Sequence, residues 1–114
     1  MTINIETENA GTYPDVDEAQ VLSLSDRLAD GLIYLIAHDT TRELEYAQAA
    51  SHGQEKGKYV IEYHNADDYH YQATVETTAD VGRFLSGWAW QRDGWKDGFE
   101  WKELEELRGI NQPR

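Results

Sequence analysis

The sequence contains no cysteine. That absence excludes disulfides, thiol nucleophiles, iron–sulfur clusters and cysteine-type zinc sites. Proline occurs twice, as Pro14 and Pro113, so no proline-rich linker divides the chain. No run of eighteen apolar residues is present, and no charged-then-apolar segment follows Met1. The expectation is a cytoplasmic protein. Basic residues are scarce, 10 against 22 acids, and the formal net charge is −12. A chain this acidic is repelled by nucleic acid and by anionic lipid, so neither is expected as a partner. The nine glycines are scattered and lack phosphate-loop spacing. No Gly-x-Ser-x-Gly elbow occurs. No cofactor is expected on these grounds.

What is present makes a folded domain. The 114 residues suit one core, a single α+β domain over 1–114. Hydrophobic residues reach 39% and aromatics 11%, too apolar for general disorder despite 28% charge.

Thr2 to Thr7 alternates through Ile3 and Ile5, a short strand. Asp15 to Asp30 reads as a helix, with Asp15 as N-cap and Glu18 completing a capping box. Its apolar stripe is Val21, Leu24 and Leu28, widened by Ala19, Leu22 and Ala29. Gly31 stands where a left-handed residue would end it. Leu32 to Ala37 is nearly all apolar, which suits a strand covered on both faces. Glu43 to Ala50 begins with Leu44 and Tyr46 against Glu43 and Glu45, the second arm of a hairpin.

Ser51 to Gly57 reads as a loop. Tyr59, Ile61 and Tyr63 then alternate with polar residues, as do Tyr69, Tyr71, Ala73 and Val75 beyond the turn at Asn65 to Asp68. Pairing Tyr63 with Tyr69 and Ile61 with Tyr71 gathers the large apolar groups on one face. It sets Glu62 opposite His70 on the wetter one. Thr77 to Arg92 reads as the second helix, capped by Thr77 with Asp80, with Val81, Phe84, Leu85 and Trp88 inward. Gly82 and Gly87 permit close approach of a neighbouring element. Glu100 to Arg108 reads as a short third helix, and Gly109 to Arg114 as a frayed end. The expected fold is an antiparallel sheet of about five strands, in β-α-β-β-β-β-α order, packed against two helices with a short C-terminal helix.

Chemistry-bearing patterns are few. Glu62, His64 and His70 share one sheet face, and an oxygen/imidazole metal site there is one enzymatic alternative. The simpler reading is a cross-strand Glu62–His70 pair on a solvated surface, because a third ligand and an outer shell are missing. An enzyme is not the expected class. Binding is better supported. Trp88 belongs to the core stripe, but Trp90 lies roughly 200° around the helix from it. Trp90, Trp95 and Trp101, rimmed by Asp93 and Asp97, form either a second small core with Phe99 or a partner-facing patch. The acid excess has two readings as well. One is solubility. The other is a docking face for a basic protein, such as a nuclease or a nucleic-acid deaminase.

Tyr59 to Trp90 (YVIEYHNADDYHYQATVETTADVGRFLSGWAW) resembles small actinobacterial proteins identified as immunity proteins of polymorphic toxin systems. The shared pattern is a "YVIEY–turn–HYQA" hairpin, a capped helix ending in "GWAW" and a Trp-containing tail. "YPDVDEAQV", "LIYLIA" and "EYAQAA" fit the same layout, so the likeness runs from about Tyr13 to Trp101. It implies an α+β, non-enzymatic protein that binds and blocks a cognate toxin, which the acid excess makes a basic toxin enzyme. It assigns no contact residue. The alternative from another class is a self-associating structural protein, which leaves monomer and homodimer both open.

Overall fold

Alternation and turn chemistry set the strands in the computed structural model, which describes residues 2–51 and 57–104. The chain runs β1 (Ile3–Thr7), β2 (Thr12–Tyr13), α1 (Glu18–Asp26) with a 3-10 turn over Arg27–Asp30, then β3 (Tyr34–Asp39) and β4 (Tyr46–Ser51). It continues through β5 (Tyr59–His64), β6 (His70–Val75), α2 (Thr78–Ala89) and β7 (Lys102–Glu103). The strands form a single antiparallel sheet in the order β2-β1-β3-β4-β5-β6-β7. The class is α+β as expected, but the sheet has seven strands rather than about five. The two additional strands, β2 and β7, are two residues each, too short to leave a periodic signature.

Ile3 and Ile5 of β1, Leu35 and Ala37 of β3, Ala47 and Ala49 of β4, and Ile61 and Tyr63 of β5 point to one side. There they meet Val21, Leu24 and Leu28 of the α1 segment and Val81, Phe84, Leu85 and Trp88 of α2. This is the core. The two helices pack on each other as well. A Cβ on Gly82 would come within 2.7 Å of Leu22 Cδ2, so the glycine lets α1 approach α2. Leu22 itself stays 42% exposed, and Ala19 and Ala29 are exposed, so the buried stripe of α1 is narrower than the sequence implied.

Four expectations are corrected. The N-cap of α1 is Asp17, with Gln20 closing the capping box, two residues beyond the expected Asp15 and Glu18. Asp15 has φ 51, and Val16 N–H bonds to the Ile3 carbonyl at 2.8 Å, so the chain is still turning back onto β1 at that point. In β4 Ala47 and Ala49, not Leu44 and Tyr46, face the helices, because small side chains let α2 lie close. Leu44 is 51% exposed. In the β5–β6 hairpin Tyr63 faces Tyr71 and Glu62 faces Gln72. The loop spans the five residues 65–69: Asn65 Oδ1 accepts from the N–H groups of Asp67 and Tyr69 and holds Tyr69 in the turn. Finally, residues 102–103 are strand rather than helix. The rest of the expected third helix, the frayed end and most of the loop after β4 lie outside the described residues.

Candidate functional site

The end of α2 positions Trp90. Gln91 takes φ 51, Gln91 N–H bonds to the Trp88 carbonyl at 3.4 Å, and Arg92 N–H bonds to the Gly87 carbonyl at 3.0 Å. This is a Schellman closure with Gln91 in the left-handed position. It swings the chain off the helix and brings the Arg92 guanidinium onto the Glu18 carboxylate, which lies on the first turn of α1. Hydrogen bonding to Arg92 is the main cause that lowers the Glu18 pKa, and desolvation opposes it. Asp15 N–H donates to Asn4 Oδ1 at 2.9 Å, which ties the other rim to β1. The result is an open cleft of about 300 Å³ lined by Ile3, Val16, Trp90, Arg92 and three carboxyl residues, Asp15, Asp17 and Glu18. Trp90 is half-buried in it, while Asp15 and Asp17 are exposed. An indole beside carboxylates suits a guanidinium or ammonium group.

The other tryptophans take a different place. Trp95 and Trp101 meet the Tyr63 ring edge-on, at centroid distances of 5.0 and 4.8 Å. Trp101 also packs on Phe84 and Phe99. Tyr71 stacks on Tyr63 from the neighbouring strand at 5.1 Å. Burial, then the neighbouring Tyr71, pushes the Tyr63 phenol up to about 12. Trp95, Phe99 and Trp101 therefore form a small aromatic cluster without Trp90, which the sequence reading groups with them. No ring contact joins Trp90 to it among the described residues. Of the five sequence-derived positions, Trp90 lines the cleft, Trp95 and Trp101 belong to the aromatic cluster, and Asp93 and Asp97 are exposed. Asp15, Asp17 and Glu18 were missed as site residues because the long range pairing of Arg92 with Glu18 leaves no sequence signal.

The opposite face of the sheet carries a polar row. Glu62, His64 and His70 are each 1% exposed, so this face is not the solvated surface expected of it. In the ladder Glu62 stands opposite Gln72, and His70 opposite His64. Glu62 accepts from Gln48 Nε2 at 3.0 Å and Gln72 Nε2 at 3.4 Å. It borders a shallow hollow of about 260 Å³ with Tyr34, Ala50 and Val60. His64 and His70 stand directly opposite each other in the ladder and stack at 4.3 Å. His64 Nε2 lies 2.7 Å from Asp68 Oδ1, and the Tyr46 hydroxyl lies 3.0 Å from His70 Nδ1.

No helix among the described residues is long and apolar enough to cross a membrane. Comparison with protein families, with curated proteins and with solved structures finds no match.

Proposed function

We propose that this chain is a non-enzymatic binding module for a basic protein, and that the Trp90 cleft receives a lysine or arginine of the partner. The observation that carries the reading is the Trp90 indole set among Asp15, Asp17 and Glu18, with Arg92 the one base on the lining. A cation over an indole contributes about 0.5–2 kcal/mol, more as water is removed. The net charge of −12 adds long-range attraction that speeds encounter with a basic surface. In its specific form the partner is a basic toxin enzyme and this chain its immunity-type inhibitor, acting by occlusion of a positively charged cleft.

The test is affinity capture from the native lysate at low and high salt, with the wild type, Trp90→Ala and Asp15→Asn side by side. One dominant basic protein, held by the wild type at low salt and lost on raising salt, is the expected result. Trp90→Ala weakens its retention at least tenfold. Equal retention by all three proteins, indifferent to salt, overturns the reading.

A further inference from the structure

The turn between β5 and β6 aims a carboxylate at two imidazoles. Asp68 sits at φ 70, in the left-handed region, and its N–H donates to the Asn65 carbonyl at 3.0 Å. A non-glycine residue held there carries backbone strain. In return its side chain reaches back over the hairpin to His64. His64 and His70 are directly paired residues, so the ladder itself fixes the separation of their rings. One ligand atom from each of His64, Asp68 and His70 lies within 4.8 Å of the others.

A second observation points the same way. His64 Nδ1 is buried and has no hydrogen-bond partner. An unsatisfied buried polar atom is destabilising, so His64 is held in this place at a cost that hairpin packing alone does not explain. His70 is held differently: its Nδ1 meets the Tyr46 hydroxyl, the type of outer bond that fixes the ring of a metal-ligating histidine. Outer support that the sequence alone did not reveal is therefore present at His70, and Asp68 supplies the third ligand.

We propose that His64, His70 and Asp68 form a site for a first-row divalent cation, zinc first among them. Two imidazoles and one carboxylate suit zinc, cobalt, nickel or copper rather than magnesium or calcium, which take oxygen ligands. Ligands about 2.1 Å from a tetrahedral ion lie roughly 3.4 Å apart. Asp68 Oδ1, now 2.7 Å from His64 Nε2, therefore draws back by roughly 0.7 Å as the ion replaces the proton between them. Its side chain is 39% exposed, so it has room to move and leaves the ion a path from solvent. Three protein ligands leave at least one position for water. The site lies on the sheet face opposite the helices and is independent of the Trp90 cleft.

The experiment uses the untagged, chelator-stripped protein titrated with zinc chloride, followed by calorimetry, thermal unfolding and the imidazole proton resonances. One equivalent of zinc is expected to bind, to raise Tm progressively with zinc concentration, and to shift the resonances of His64 and His70. Asp68→Asn keeps the turn, because Asn tolerates the left-handed region, and weakens zinc binding at least tenfold. His38→Gln and His52→Gln bind zinc as the wild type does. Absence of zinc binding overturns the site. So does unaltered binding by Asp68→Asn, or zinc that shifts His38 or His52 while His64 and His70 stay unmoved.

Discussion

Gly87 and Trp95 are a fitted pair. A Cβ added to the glycine would lie 2.7 Å from the Trp95 Cβ and 3.5 Å from its Cα. Those atoms are close to the backbone and cannot swing aside as a side-chain tip can. Alanine in a helix interior normally gains about 1 kcal/mol over glycine. Overpacking costs about 1–3 kcal/mol. Gly87→Ala is therefore expected to destabilise the protein by about 1 kcal/mol, measured by urea unfolding, with a change in tryptophan fluorescence. Greater stability in Gly87→Ala would mean that Trp95 is not packed on α2.

Arg42 ties the β3–β4 loop to the end of α2. Its guanidinium pairs with Asp39 at 2.8 Å, bonds to the carbonyls of Trp88 and Ala89, and stacks 4.1 Å over the Trp88 ring. The last carbonyls of a helix lack intrahelical donors, so Arg42 serves as a distant C-cap. Arg42→Ala leaves the buried Asp39 carboxylate without its charge partner and is expected to cost about 3 kcal/mol. Arg42→Lys recovers only part of this, because an ammonium does not reproduce the planar fork. Equal stability of Arg42→Lys and wild type would remove the cap from the account.

The same carboxylate predicts a low-pH limb of stability. Burial raises the Asp39 pKa, but the Thr41 N–H, the Arg42 guanidinium and the Thr41 hydroxyl together outweigh it and hold the group below its usual 3.8. The unfolded state then binds more protons than the folded one in that range. The contribution is complete above the ordinary carboxylate range and is lost as pH falls through the lowered folded value. Asp39→Asn should unfold in urea with a shallower dependence on pH below the ordinary carboxylate range. An unchanged dependence would assign the limb to other acids.

At the alkaline end the relevant group is Tyr63, whose phenol titrates near 12. The unfolded chain releases this proton near 10, so stability falls as pH rises from the ordinary value to the raised one. Absorbance near the phenolate band should show one late-titrating tyrosine fewer in Tyr63→Phe than in the wild type. Loss of an early-titrating tyrosine instead would contradict the burial of this ring.

Much of the fold is legible in the residues because local chemistry and pattern agree. Thr77 with Asp80 marks the start of α2, and Thr77 Oγ1 accepts from Asp80 N–H at 3.0 Å. Gly31, at φ 101, closes the segment after α1 as read. Tyr63, Ile61, Tyr71 and Ala73 do share the core face. The misreadings have a common origin in contacts distant in sequence. Asp15 and Asp17 carry the same capping chemistry, and only the bond from Val16 to β1 decides between them. The hairpin register turned on Asn65, whose side chain lengthens the turn and moves every cross-strand pair by two residues. That shift is what sets His64 against His70. Those two residues flank a five-residue turn, a spacing from which their opposition could have been read.

The sheet ends on one side at β2, which is two residues long and is followed at once by Pro14. A proline has no N–H to offer, and Asp15 beyond it turns away from extended geometry. An incoming strand from another chain finds almost no ladder to extend there. This margin therefore works as a built-in barrier to polymerisation, protecting a sheet-rich protein from edge-to-edge fibre growth at that end.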